Sequence, residues 1–266
     1  MTAASVETGK IDIGRVIGDT FKVLGRNFVT FFVLSLVLTG LPTGVFTALQ
    51  GALYQPAEGV TFDPDMILWS MLGGLVTLAT TGILQGSLIY ATVQDMNGAK
   101  PSIGESLATG LRNFLPLIVV SILAALGMVL GFMLLIVPGV MLLVAWSVVL
   151  PALIADRTGI FGAFGRSAEL TRGNRWRIFG LLLITWIAAM LFGLIFGAIA
   201  GVNLLTAGTD ADAIQRAAFS PLNIAINVLS QTLTYMVTST GIAVLYVELR
   251  KARDGLGPQW LSEIFS

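Results

Sequence analysis

Five stretches of this chain, 28–57, 66–94, 113–155, 178–209 and 217–247, contain no Asp, Glu, Lys or Arg. About 20 apolar residues in a helix cross the hydrocarbon layer of a bilayer, so four of the stretches suit one span each. The third is twice that length and holds Pro138-Gly139 near its middle, a turn signal that divides it into two helices joined by a tight hairpin. The expected fold is therefore an all-α integral membrane protein with six transmembrane helices. A soluble helical domain would use shorter helices with a polar face. With 55% hydrophobic and 11% charged residues and a mean hydropathy of +0.87, the 266-residue chain has more apolar surface than a water-facing domain could hide. Residues 1–27 are mixed and polar, so the first span is expected to act as its own targeting signal, without a cleaved leader.

Orientation follows from the basic residues. The segments 1–27, 94–112, 156–177 and 249–266 hold every Lys and Arg except Arg216, and basic loops resist translocation, so this side is expected to be cytoplasmic with both termini. Glu58, Asp63, Asp65, Asp210 and Asp212 fall on the opposite side. The zero net charge matters less than this asymmetry.

The chain has no Cys and no His, which excludes thiolate and imidazole metal sites, Cys nucleophiles and His general bases. The acid pairs Asp63/Asp65 and Asp210/Asp212 have no Lys partner at motif spacing and no metal-ligand pattern around them. No phosphate loop, nucleophile elbow or dinucleotide fingerprint occurs, and no catalytic residue, cofactor or nucleic-acid partner is expected.

One order of features recurs three times within a single membrane domain, 1–266, over about 11–98, 101–159 and 160–254. An amphipathic helix expected at the cytoplasmic interface comes first, then a basic-Asn-aromatic junction, then a two-span hairpin. The junctions are Gly25-Arg26-Asn27-Phe28, Leu111-Arg112-Asn113-Phe114 and Gly173-Asn174-Arg175-Trp176. The apolar stripes before them are Ile13, Val16, Ile17, Phe21, Leu24 and Phe28; Ile103, Leu107 and Leu111, opened by a Ser102/Glu105 capping box; and Ile160, Phe161, Phe164 and Ala168. Each hairpin carries glycines four apart: Gly40 and Gly44; Gly127 and Gly131; Gly193, Gly197 and Gly201. Such pairs lie on one helix face and let backbones approach in lipid. Two-span units return to their starting side, so the copies are expected to be parallel.

No carboxylate, Lys or Arg lies in the middle of a span, which leaves a proton relay or buried ion-pair gate nothing to work with. Amides and hydroxyls remain. Asn223, Asn227, Gln231, Thr234 and Thr238 fall on one stripe of the last span, and Gln85 could face them. This set reads either as a polar groove for a headgroup or small solute, or as ordinary interhelical hydrogen bonding. On the cytoplasmic side Arg157, Arg166, Arg172, Arg175, Trp176 and Arg177 form the densest basic-aromatic surface, suited to anionic phospholipid or a partner protein, and equally to positive-inside anchoring.

The run Trp146-Ser147-Val148-Val149-Leu150-Pro151-Ala152-Leu153-Ile154-Ala155-Asp156, with Arg166-Ser167-Ala168-Glu169-Leu170-Thr171-Arg172-Gly173 and Trp176, resembles the membrane domain attached to some bacterial glycerophosphoryl diester phosphodiesterases and the stand-alone YciC-like inner-membrane proteins. Residues 11–28 and Leu245-Tyr246-Val247-Glu248-Leu249-Arg250 are similar to the same group. The resemblance implies a six-helix bacterial inner-membrane protein. It does not bring the phosphodiesterase activity, which in fused proteins belongs to a separate barrel using His and metal-binding carboxylates. The expected role is non-enzymatic, binding or organising phospholipid or a protein partner, or a second copy of the chain. The alternative is a transporter or channel for a small or amphiphilic solute.

Overall fold

The computed structural model describes residues 10–53, 64–206 and 211–254, and every regular element among them is helical. Glu58, Asp63 and Asp210 lie outside the described residues, as do the side chains of Asp65 and Asp212. Six helical segments are long and apolar enough to cross a membrane: Phe28–Ala52, Ile67–Met96, Phe114–Leu134, Ile136–Asp156, Arg175–Val202 and Pro221–Asp254.

A short helix, α1 (Ile13–Arg26), opens on Asp12, whose carboxylate caps it by accepting from the Arg15 N–H at 2.9 Å. The first span follows as α2 (Phe28–Ser35), a π-helical turn over Leu36–Gly40, and α3 (Leu41–Leu53). The second is α4 (Pro64–Met96). A helix capped by Ser102, α5 (Ile103–Arg112), leads into the third span, α6 (Phe114–Leu134). The fourth is built from α7 (Ile136–Ala145) and α8 (Val149–Asp156). Then come α9 (Gly159–Thr171), the fifth span α10 (Arg175–Thr206), a short α11 (Ala211–Ala218), and the sixth span within α12 (Pro221–Asp254).

The break between α6 and α7 falls at Leu135, in extended backbone, not at Pro138-Gly139. Pro138 instead occupies the first turn of α7, where a missing N–H costs nothing. Gly139 serves the packing: a Cβ there would strike the Phe132 ring, and one on Gly131 would meet the Gly139 backbone.

Burial is uneven along the spans. The apolar core gathers Val16, Val23, Phe31, Leu84, Leu88, Val148, Leu170, Ile178 and the 243–249 run, all near the end where the basic residues collect. Toward the other end Leu134, Leu135, Ile136, Leu194, Ile199 and Val202 are exposed. At the first and third stripes the other helices cover the apolar side only in part. Val16, Thr20, Val23 and Leu24 of α1 are covered while Phe21 and Phe28 point outward, and in α9 Ala163, Ser167, Leu170 and Thr171 are covered while Phe161 is exposed. Thr20, Ala163, Ser167 and Thr171 are among the covered residues, while Phe21, Phe28 and Phe161 face outward.

The glycine pairs divide by partner. A Cβ on Gly40 or Gly44 would collide with Thr232 or Val228 of α12, and one on Gly127 with the Trp146 ring. Gly193, Gly197 and Gly201 have no neighbour at that range among the described residues. A crossing against backbone involves a glycine outside these pairs. Gly110 of α5 packs on α4 so tightly that a Cβ would meet the Ile83 carbonyl and the Ser87 hydroxyl.

Candidate functional site

The basic end is held by polar bonds between short helices and span termini. The fourth span breaks at Trp146–Val148, which leaves backbone carbonyls that a continuous helix would have used. Hydroxyls of α9 reach one of them: Ser167 donates to the Ala145 carbonyl at 2.8 Å, and Thr171 lies 3.5 Å from the same oxygen. Both side chains are fully buried, where an unmet carbonyl would cost about 1–3 kcal/mol. Trp146 closes the contact edge-on to Phe164 at 5.0 Å.

Beside this joint lies a closed ring of charge. Arg166 of α9 bonds Asp156 at the end of α8 at 3.1 Å and also Asp254 of α12. Arg250 of α12 bonds Asp156 and reaches Asp254 at 3.3 Å. The Arg250 guanidinium also donates to the Tyr246 hydroxyl at 2.7 Å. Burial works against the charge on Arg166, but its hydrogen bonds and proximity to Asp254 and Asp156 outweigh this and hold its pKa above the ordinary value. Two cations and two anions, each less than a quarter exposed, satisfy one another here.

A second clamp joins the first two spans. Asp95 of α4 accepts from Arg26, whose Nε lies at 3.2 Å, and from the Asn27 amide at 2.6 Å; the same amide reaches the Val23 carbonyl. The bond to Asp95 raises the Arg26 pKa. Asn174 marks a third joint, where its side-chain oxygen accepts from the Ile11 N–H at 3.0 Å and Arg177 donates to the Ile11 carbonyl at 2.6 Å. The three junction asparagines thus sit at helix breaks, with Asn113 donating back to Thr109 at 2.9 Å.

Of the six basic-aromatic residues singled out in the sequence, Arg166 is committed to the charge ring and Arg177 to the start of α1. Arg157, Arg172, Arg175 and Trp176 are exposed, Trp176 at 85%. No described acid forms an ion pair with any of the three arginines. In the proposed polar groove, Asn223 donates to the Ala217 carbonyl of α11, while Asn227 donates to Asn223 and Thr238 to Thr234 within α12. Thr234, Gln231 and Gln85 are half-buried. Thr238 also borders an apolar cleft of about 420 Å³ between α1, α10 and α12.

Sequence reasoning missed Asp95, Asp254 and the pairing of Asp156 with two arginines. Each acid stands at the basic end of a span, among residues read only for their positive charge. An acid kept where positive charge is favoured was the available signal.

The joint, the clamps and the Asp156 and Arg166 half of the ring lie inside residues 11–249, which match the family described as Domain of unknown function (DUF7847). The chain belongs to that family. It is also similar to the UPF0259 membrane protein PC1_1998 of Pectobacterium carotovorum subsp. carotovorum (strain PC1), 24% identical over 155 residues, which cover 58% of this chain and 62% of that protein. The match thus spans less than two thirds of the relative's length. No solved structure matches. This DUF7847 membership and the UPF0259 relative support the YciC-like resemblance; neither carries a link to the phosphodiesterases.

Proposed function

We propose that this protein is a non-enzymatic component of the bacterial inner membrane that holds anionic phospholipid on its cytoplasmic face through Arg157, Arg172, Arg175 and Trp176. The observation that carries this reading is selective pairing. Arg166 is met by three acids and Arg250 by two, while Arg157, Arg172 and Arg175 are exposed and form no ion pair with a described acid, and Trp176 next to Arg175 is exposed as well. Arg157 stands at one end of α9 and Arg172 at the other, about 20 Å apart by helix rise, so the surface is extended and not a pocket. Its cations attract anionic headgroups at about 1 kcal/mol each, and the Trp ring suits the interface between water and hydrocarbon.

In this reading α1, α5 and α9 lie at the cytoplasmic interface as the opening helices of three related units, and both ends of the chain are cytoplasmic. Native mass spectrometry of the purified protein tests the lipid claim. Wild type should retain phosphatidylglycerol over phosphatidylcholine, and R172Q/R175Q should lower that retention by about tenfold. Equal retention of the two lipids by wild type would end the proposal.

A further inference from the structure

Away from that surface, a cleft of about 880 Å³ opens between the end of α1, the start of the first span and the 97–101 turn after α4. Its charged lining is Lys22, Arg26 and Lys100 against Asp19 and Asp95. The five are not equivalent. Asp95 is nearly buried, and its oxygens are taken by Arg26 and Asn27, so its charge is matched inside the wall. Arg26 uses Nε and one terminal nitrogen on Asp95, leaving its other terminal nitrogen outside those two bonds. Lys22 holds Asp19 only through a solvent-exposed pair three residues apart, a contact worth a fraction of a kcal/mol that a better anion could displace. Lys100 is exposed and pairs with no described acid.

We infer that this cleft binds the phosphodiester of an anionic phospholipid. Three cations against two anions leave one net positive charge, which matches a singly charged diester better than a doubly charged monoester. The floor supports a headgroup source: Asn27 and Thr30 stand where the first span begins, and Met96 supplies apolar surface beside the charges. Lys22 and Lys100 supply charge, and the edge of Arg26 is oriented by Asp95 for a second, directed contact.

Because the chain has no cysteine, one introduced at Ala99 in the cleft lining reports locally, apart from the Arg172/Arg175 surface. Protein carrying A99C with a bimane label, in nonionic detergent, is titrated with dihexanoyl phosphatidylglycerol, dihexanoyl phosphatidylcholine and glycerophosphoglycerol. The expected result is a saturable emission change with phosphatidylglycerol, with a midpoint raised about tenfold by K22Q/K100Q and unmoved by R172Q/R175Q. Glycerophosphoglycerol acting at the same midpoint would assign the diester to a soluble source; acting only far higher, to lipid. The second outcome supports the proposal; the first overturns its lipid source. No change with either diester, an equal midpoint for phosphatidylcholine, or indifference to K22Q/K100Q in protein of unchanged melting temperature would overturn it. The Arg172/Arg175 proposal survives that failure, since its own variants are read separately.

Discussion

Arg157 ends α8 in left-handed backbone, the one non-glycine residue with positive φ among those described, at +49°. A side chain there costs about 1 kcal/mol that glycine would avoid. Its guanidinium is exposed and pairs with no described acid, which makes a lipid contact the proposed offset. R157G should therefore raise the melting temperature slightly in detergent while lowering phosphatidylglycerol retention, and a loss of both would make the residue purely structural. The neighbouring Asp156 behaves oppositely. D156N would leave Arg166 and Arg250 facing a neutral amide at a site 7% exposed, and should cost about 2 kcal/mol or more in thermal unfolding. Because the Arg166 pKa is raised, its contribution is complete at any pH below the ordinary guanidinium range. Raising the pH from neutral to about 10 should not weaken the ring through this group.

At the scale of elements, the same glycine spacing has two outcomes. Glycine spacing shows which residues share a helix face; which helix meets that face depends on how the whole bundle assembles. G110A should destabilise by about 1–3 kcal/mol, because backbone of α4 must yield, and G197A should change the melting temperature little. At the α1 joint, N174A removes the acceptor for the Ile11 N–H and should speed hydrogen exchange across the first turn of α1. The spans were legible in the sequence because lipid solvation depends on composition over about 20 residues, which charge-free runs display directly. The buried faces of α1 and α9 were not. Periodicity marks Phe21 and Phe161 as members of apolar stripes, and both are exposed, but it gives no sign that Thr20, Ser167 and Thr171 take the inner positions where close approach and hydrogen bonding count. Among the candidate site residues, the arginines were visible as a group; which of them were already engaged depended on Asp156, Asp254 and Ile11, distant in sequence.

Over the whole molecule, tight packing and charge share one end, and the other end presents apolar side chains outward. With the basic end cytoplasmic, a cysteine at exposed Gly173 should resist an impermeant maleimide in intact cells, whereas one at Leu135, in the turn between the third and fourth spans, should label. The reverse pattern would invert the proposed orientation and remove both phospholipid surfaces from the leaflet argued for here.

The sixth span touches most of the other elements: it receives Gly40 and Gly44, carries Arg250 and Asp254 of the charge ring, and brings 243–249 into the core. It is also the span synthesised after the other five. A nascent chain paused before it would hold five oily helices in the bilayer with Asp156 and Arg166 lacking two of their partners, so consolidation must wait until the ribosome has delivered the sixth. Stalled or truncated products should be loose in the membrane and early targets for proteolysis.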